Sequence, residues 1–238
     1  GHVAMLGLLA FLIGFRMNQA YDRWWEGRKL WGEVIFSARN LASNTASCFT
    51  DIERLKRLIL HIIVFAWALR SLLRGQKLGD DEEDGAAMDG LLAPEQVAAI
   101  NLYDHVPLKL IDDIRKEIKD EISAQLVSNH GRIEGHWDII VGDDIRQLLQ
   151  AMTGCERIRS TPMPFNYLSI LRIFVVAWVS TYPVFIVGSF GWVAMPICAF
   201  IIFVMVKLEQ IAGEMSEPVT ALRSLCPWHG ACTCSMHM

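Results

Sequence analysis

Two phenylalanines four residues apart, Phe11 and Phe15, fall with Leu8 on one stripe of any helix drawn through them. Arg16, Asn18, Asp22 and Arg23 follow directly. On a single chain the plainest reading of such a stripe is packing, against lipid or against another helix. Repeated around a shared axis, the same stripe becomes an apolar collar that opens into a polar vestibule carrying Arg16, Asn18 and Arg23. A collar of that kind gates by dewetting. Aromatic ring edges carry partial positive charge, so an edge-on collar of phenylalanines also favours anions. Spacing alone leaves both readings open.

Other chemistry is harder to find. The seven histidines are scattered, and the chain has no His-Glu-x-x-His pair, no Gly-x-Ser-x-Gly elbow and no phosphate-cradling glycine loop. Neither an enzyme nor a cofactor is expected. Near the C-terminus Cys226, His229, Cys232 and Cys234, with His237, crowd soft and borderline ligands into one short tail. Thiolate and imidazole suit zinc or copper. The tail lacks the two-pair spacing of a zinc module, however, and no metal centre is assigned to it. Asp80, Glu82, Asp84 and Gly85 imitate the first half of an EF-hand loop, but Leu91 stands where a bidentate Glu is required. Residues 79–90 therefore read as a solvated, charged loop, and His61 as a satisfied core histidine.

The elements that would position the stripe come from the hydropathy pattern. Hydrophobic residues make up 53% of the chain and charged residues 20%, a balance that fits a membrane part joined to a sizeable water-exposed part. The net charge of −4, without a basic and aromatic groove, argues against a nucleic-acid partner. The apolar run 3–15 passes straight into an arginine-rich segment carrying Trp24, Trp25 and Trp31, the pattern of a helix leaving a bilayer on its cytosolic side.

Two later runs, 167–187 and 190–206, are each near the length that crosses a bilayer core, with a turn expected at 188–191. Arg157, Arg159 and Lys207 flank this hairpin and predict that both of its ends are cytosolic. Arg172 inside the first run is expected to snorkel to that face. Residues 58–73 predict a core helix of a soluble bundle, and Ile111, Ile114, Ile118 and Ile122 predict an amphipathic helix. No sheet is expected. The six cysteines follow no disulfide framework and are read as reduced thiols.

The segment Gly14-Phe15-Arg16-Met17-Asn18, running on to Arg23-Trp24-Trp25-Glu26-Gly27, resembles the hallmark of the bestrophin family of ion channels, nearest its microbial, fungal and algal branch. Cys155-Glu156-Arg157-Ile158 with Thr161-Pro162-Met163-Pro164-Phe165 and Tyr167 resembles the block ahead of that family's last two spans. Glu209-Gln210-Ile211-Ala212, with Glu214 to Pro218, resembles the segment after them. The blocks fall in family order and cover most of residues 5–218.

The resemblance implies an all-α membrane protein, with transmembrane helices plus a cytosolic helical bundle. It implies a homopentamer with one central pore, passing small anions passively, chloride first and bicarbonate as a further candidate. Matched through the Gly-Phe and Arg-Trp-Trp positions, the family's hydrophobic neck falls on Phe11 and Phe15. A third neck position falls on Gly7, where the family has a bulky side chain, and Leu8 is the residue expected to fill it. Ile145 and Leu148 are the candidates for a cytosolic constriction.

The expected organisation is a pore helix at 1–25 truncated at its start, a cytosolic region at 26–160, a transmembrane hairpin at 161–208 and a cytosolic tail at 209–238. The chain is expected to be incomplete at both ends, multi-pass, and in contact with membrane lipid. The calcium-binding acidic cluster of animal members is missing after Glu217-Pro218. A cation-selective channel, a non-conducting membrane scaffold and a metal-responsive regulator remain as alternatives.

Overall fold

The computed structural model describes residues 2–128, 137–161 and 165–216. Every described element is helical: α1 (His2–Cys48), α2 (Ile52–Arg74), α3 (Glu82–Met88), α4 (Pro94–Ile100), α5 (Val106–Ser128), α6 (Trp137–Ser160), α7 (Phe165–Phe190), a 3-10 turn (Gly191–Val193) and α8 (Ala194–Ser216). The chain divides into two compact units, one made of Gly1–Arg28 with Ile158–Met238 and the other of Lys29–Arg157. The first helix does not stop near residue 25, where its hydropathy changes. It continues unbroken to Cys48, because no proline or capping residue interrupts the polar half.

In the first unit, Leu9 and Ile13 of α1 pack with Leu171, Val175 and Trp178 of α7, and Ile201, Met205 and Leu208 of α8 close around them. Two segments are long and apolar enough to cross a membrane, Ser169–Gly188 and Gly191–Ser216, with mean hydropathies of 2.0 and 2.1. Only 17% and 11% of those stretches is buried within the protein. A soluble core helix of that hydropathy would be mostly buried, so the exposed apolar surface fits lipid rather than water.

Pro183 lies inside α7. Nearby, the Ser180 and Thr181 hydroxyls donate to the Val176 and Ala177 carbonyls at 2.8 and 3.0 Å, which ties polar side chains into the helix backbone. The hairpin turn falls later than the glycine pattern suggests. Helix α7 runs on to Phe190, and the chain reverses through Gly191, whose φ of +53° only glycine adopts cheaply.

In the second unit, α2 is the core helix its length and hydropathy predict. Asp51 caps it, accepting from the Glu53 and Arg54 backbone N–H groups at 2.9 and 3.4 Å, and Gly75 ends it at φ +75°. Its buried Leu58, Ile62, Phe65 and Leu69 belong to the same unit as the buried Leu110, Ile111, Ile114 and Ile118 of α5. The charged loop expected over 79–90 contains a short helix, α3. What orders it is Asp84, fully buried, which accepts from Arg70 at 3.0 Å and from Ser71 Oγ at 2.6 Å. Hydrogen bonds within the protein thus engage both oxygens of that carboxylate.

His61 is not the satisfied core histidine expected from sequence. It is half-buried, its Nδ1 meets no protein partner, and burial depresses its pKa.

Two further contacts set α1 against its neighbours in this unit. Asn40 and Asn44, one turn apart, donate to the two carboxylate oxygens of buried Asp144 on α6, each at 2.6 Å. At a second contact of α1 with α6, a Cβ built on Gly154 would stand 2.6 Å from Leu30 Cδ2. Gly154→Ala should therefore push the Leu30 side chain aside and lower the thermal midpoint only slightly, since alanine gains about 1 kcal/mol over glycine within a helix. Thermal unfolding of Leu30→Ala/Gly154→Ala should recover most of the loss, and a double variant no better than the single one would contradict this contact.

Glu121 of α5 is buried against the α1–α2 connection. Burial raises its pKa, but the Thr50 backbone N–H at 3.0 Å, the Thr50 hydroxyl at 2.7 Å, Gln125 and Arg54 outweigh that effect and hold it below its ordinary value. A depressed carboxylate contributes stability that is complete above its unfolded pKa and is lost as pH falls through the folded one. The unfolding midpoint should thus drop on acidification below the ordinary value of 4.5, and Glu121→Gln should flatten that part of the profile.

Candidate functional site

A helix that buries one stripe leaves the opposite stripe facing out. In the part of α1 that belongs to the first unit, Leu9, Ile13, Arg16 and Ala20 are buried, at helical spacing. The outward face carries Leu8, Phe11 and Phe15, which are 51%, 68% and 49% exposed. The Phe11 and Phe15 rings stack, with centroids 6.4 Å apart and planes 18° from parallel. Asn18 and Asp22, both exposed, continue the same face into the polar half. A Cβ on Gly7 would meet nothing within 4 Å, so the protomer leaves open space at that position.

The structure brings Leu8, Phe11, Phe15 and Asn18 onto one surface. It does not bring Arg16 there. Arg16 lies on the buried stripe, where its Nη1 pairs with Glu209 Oε1 of α8 at 3.3 Å. Arg172 Nε of α7 reaches the same oxygen at 2.8 Å, so one carboxylate joins three helices. Arg172 therefore does not simply snorkel. It has a defined partner in Glu209, a residue of the third sequence block whose pairing the sequence reading did not foresee. The signal was available: an arginine within a span needs a counter-charge, and Glu209 closes the other arm of the hairpin.

Arg23 departs from expectation too. Its guanidinium donates to the Thr161 carbonyl at 2.7 Å and to the Ile158 carbonyl, two of the acceptors left unpaired where α6 ends. It acts as a C-terminal cap, and the aligned helix carbonyls favour its charge there. Close by on α1, Tyr21 stacks on Trp25 with centroids 6.4 Å apart, and Trp24 lies against both. Such amphipathic rings suit the headgroup level of a bilayer.

Ile145 and Leu148 do not form an outward constriction in the protomer. They are 5% and 1% exposed, facing into the second unit because they share the α6 face of Asp144 and Ala151. The exposed aliphatic residues of α6 are Ile139 and Ile140.

Nothing among the described residues assembles for catalysis. A groove of about 420 Å³ is an open strip along a single helix, lined by Gly32, Phe36, Arg39 and their neighbours. Burial, with Glu156 and Glu33 adding, pushes the Cys155 thiol up to about 12, which leaves it protonated and unreactive. His105 Nδ1 accepts from the Leu108 N–H at 3.2 Å, which directs its Nε2–H to Glu156 at 2.8 Å as a structural link. No described residues form a group of three or more metal-ligating side chains, and Cys226, His229, Cys232 and Cys234 lie outside the described residues. Cys48, Cys155 and Cys198 are free thiols.

Two long apolar helices whose surfaces are mostly left exposed, together with a second all-helical unit, fit an all-α membrane protein. A model of the bacterial and fungal bestrophin proteins matches residues 3–227. The chain belongs to the bestrophin family, a family of channels rather than enzymes.

It is 29% identical over 210 residues to a voltage-dependent anion channel-forming protein of Mesorhizobium japonicum, covering 88% of this chain and 64% of that protein. With the voltage-dependent anion channel-forming protein YneE of Escherichia coli K12 it shares 27% identity, covering 90% of this chain and 67% of the relative. The chain thus spans close to two thirds of the length of these relatives. Among solved structures, a bacterial bestrophin homologue from Klebsiella pneumoniae superposes with a TM-score of 0.77 at 24% identity, over 92% of this chain and 77% of that one. That likeness concerns the fold.

Glu209→Gln should be the most damaging single change at the three-helix junction. It leaves the buried Arg16 without a counter-charge, a loss of about 3–5 kcal/mol for a buried pair. Arg172→Gln removes a largely exposed partner and should cost less than about 1 kcal/mol. Unfolding midpoints of the two variants in one neutral detergent check the order, and equal losses would contradict it.

Proposed function

We propose that the chain is the protomer of a passive, anion-conducting channel in which several copies surround one axis, each presenting the Leu8, Phe11 and Phe15 face of α1. The observation that carries this reading is the outward turn of two large aromatic rings while the opposite stripe of the same helix is already packed. An apolar face that continues into Asn18 and Asp22 suits a boundary between a dry neck and water better than it suits acyl chains. The family and the channel-forming names of its relatives favour the same reading. Five copies, the arrangement the family resemblance implies, would close Phe11 and Phe15 into two rings, with Leu8 above them.

Chloride is the first ion expected to pass and bicarbonate the second. Asn18 would line the vestibule. Arg23 would contribute only through its field, because it bonds neutral carbonyls and keeps its charge. Arg16, neutralised by Glu209, would contribute little. In this reading the hairpin of α7 and α8 spans the membrane with both ends on the cytosolic side, and the unit Lys29–Arg157 lies in water on that side.

Reconstitution into planar bilayers tests the proposal. In a chloride gradient the reversal potential should follow the chloride equilibrium, and a potential that follows sodium would overturn the anion assignment. Phe11→Ala/Phe15→Ala should raise single-channel conductance several-fold by widening and wetting the neck. An unchanged conductance would move the constriction elsewhere, and the absence of any current in the complete protein would favour a scaffold.

A further inference from the structure

The junction of Arg16, Arg172 and Glu209 holds two guanidinium groups and one carboxylate, so it carries a net positive charge. Arg16 is almost fully enclosed, while the Arg172 side chain is 69% exposed. The surplus charge therefore sits at the surface. Val176, one turn further along the same face of α7, is strongly exposed, as are Ile173 and Ile170 on the rest of the outward arc, and an apolar surface of that kind suits lipid.

Depth points the same way. Arg172 lies five residues into the apolar run 167–187, about 7.5 Å along the helix axis. On α1, Tyr21 follows Arg16 by five residues, so the aromatic cluster lies about 7.5 Å further toward the polar end than the junction. The guanidinium is thus at the boundary between acyl chains and headgroups. Lys207, exposed on α8 two residues before Glu209, adds a second cation at similar depth.

We propose that Arg172 is a seat for the phosphate of an anionic phospholipid on the side of the membrane where α1 becomes polar. Its Nε is held by Glu209, which in turn is held by Arg16, so the planar fork is fixed in direction before a lipid arrives. The outward amino groups match a phosphate oxygen pair, and a fork of that kind binds phosphate through two parallel charge-assisted bonds. Glu209 is the orienting group and Arg16 the buried anchor. The lipid supplies the counter-charge that the protein leaves unfilled. A basic site near the membrane surface would in this way tie the packing of α1, α7 and α8 to lipid composition.

This inference rests on the membrane reading of α7 and α8, and the test separates the two. The full chain is first floated with neutral phosphatidylcholine vesicles. Failure to enter any bilayer overturns both ideas, whereas incorporation without a lipid preference overturns only the lipid seat. The detergent-purified chain is then titrated with phosphatidylglycerol or phosphatidylcholine while its unfolding midpoint is followed by tryptophan fluorescence.

Phosphatidylglycerol should raise the midpoint well beyond phosphatidylcholine. Arg172→Gln should abolish that difference, or shift its half-saturating concentration by about tenfold or more, the loss expected for charged hydrogen bonds. Arg172→Lys, which keeps the charge but not the fork, should retain a weakened preference and stands in if the glutamine variant does not fold. Lys207→Gln should leave most of the effect in place. A phosphatidylglycerol preference undiminished in both Arg172 variants would overturn the proposal. So would inorganic phosphate that reproduces the whole shift, because the site would then take a free anion.

Discussion

The rotational setting of α1 decides which of its side chains this chain buries and which it presents. Leu9 and Ile13 face Trp178, Val175 and Leu171, and that single choice sends Phe11 and Phe15 to the other side. In water, burying such side chains would hold the helix by about 1.5–3 kcal/mol each. In a bilayer this force is nearly absent, since acyl chains are as apolar as leucine, and packing and polar contacts must do the orienting. The pair between Arg16 and Glu209 meets that need. A turn of one residue would rotate α1 by about 100° and draw Arg16 away from its partner. A helix that is apolar on several sides is thereby held in one orientation by one ionic contact, with Arg172 completing the junction.

The second unit uses the same device in a different solvent. Three buried or nearly buried carboxylates each fix a segment: Asp144 receives Asn40 and Asn44 of α1, Glu121 receives Thr50, and Asp84 receives Arg70 and Ser71. None of them belongs to a described metal-ligating group, and each pins a connection or a helix pair that apolar packing alone would leave free to slide. Gly154, closely approached by Leu30, makes the α1–α6 contact specific in shape as well as in polarity. Such a unit provides a firm support for the polar half of α1.

Much of the fold was legible in hydropathy and spacing, because helix amphipathicity and apolar length are local properties. The isoleucine series from Ile111 announces α5, and the two long apolar runs announce α7 and α8. The outward stripe of Leu8, Phe11 and Phe15 was legible for the same reason. Long-range partners were not. Arg16 and Arg23 look alike in sequence, yet one is buried against a carboxylate 193 positions later and the other caps the end of α6. Ile145 and Leu148 have the composition of a constriction but face inward, since hydropathy does not say which way an apolar stripe is turned. Helix α3 was missed because Asp84 looks solvated until Arg70 and Ser71 are placed beside it. The family motifs carried the remainder.

The central claim is that the phenylalanine face of α1 meets water along a shared axis and not acyl chains. Cysteine accessibility tests it most directly. Phe11→Cys and Phe15→Cys are introduced singly into a complete protein whose native cysteines are serine, and the protein is reconstituted in lipid. A membrane-impermeant, water-soluble thiosulfonate should modify both positions and block current, while a cysteine at Leu9 stays unreactive. Positions 11 and 15 that resist the aqueous reagent, yet are reached by a quencher carried on lipid tails, would contradict it.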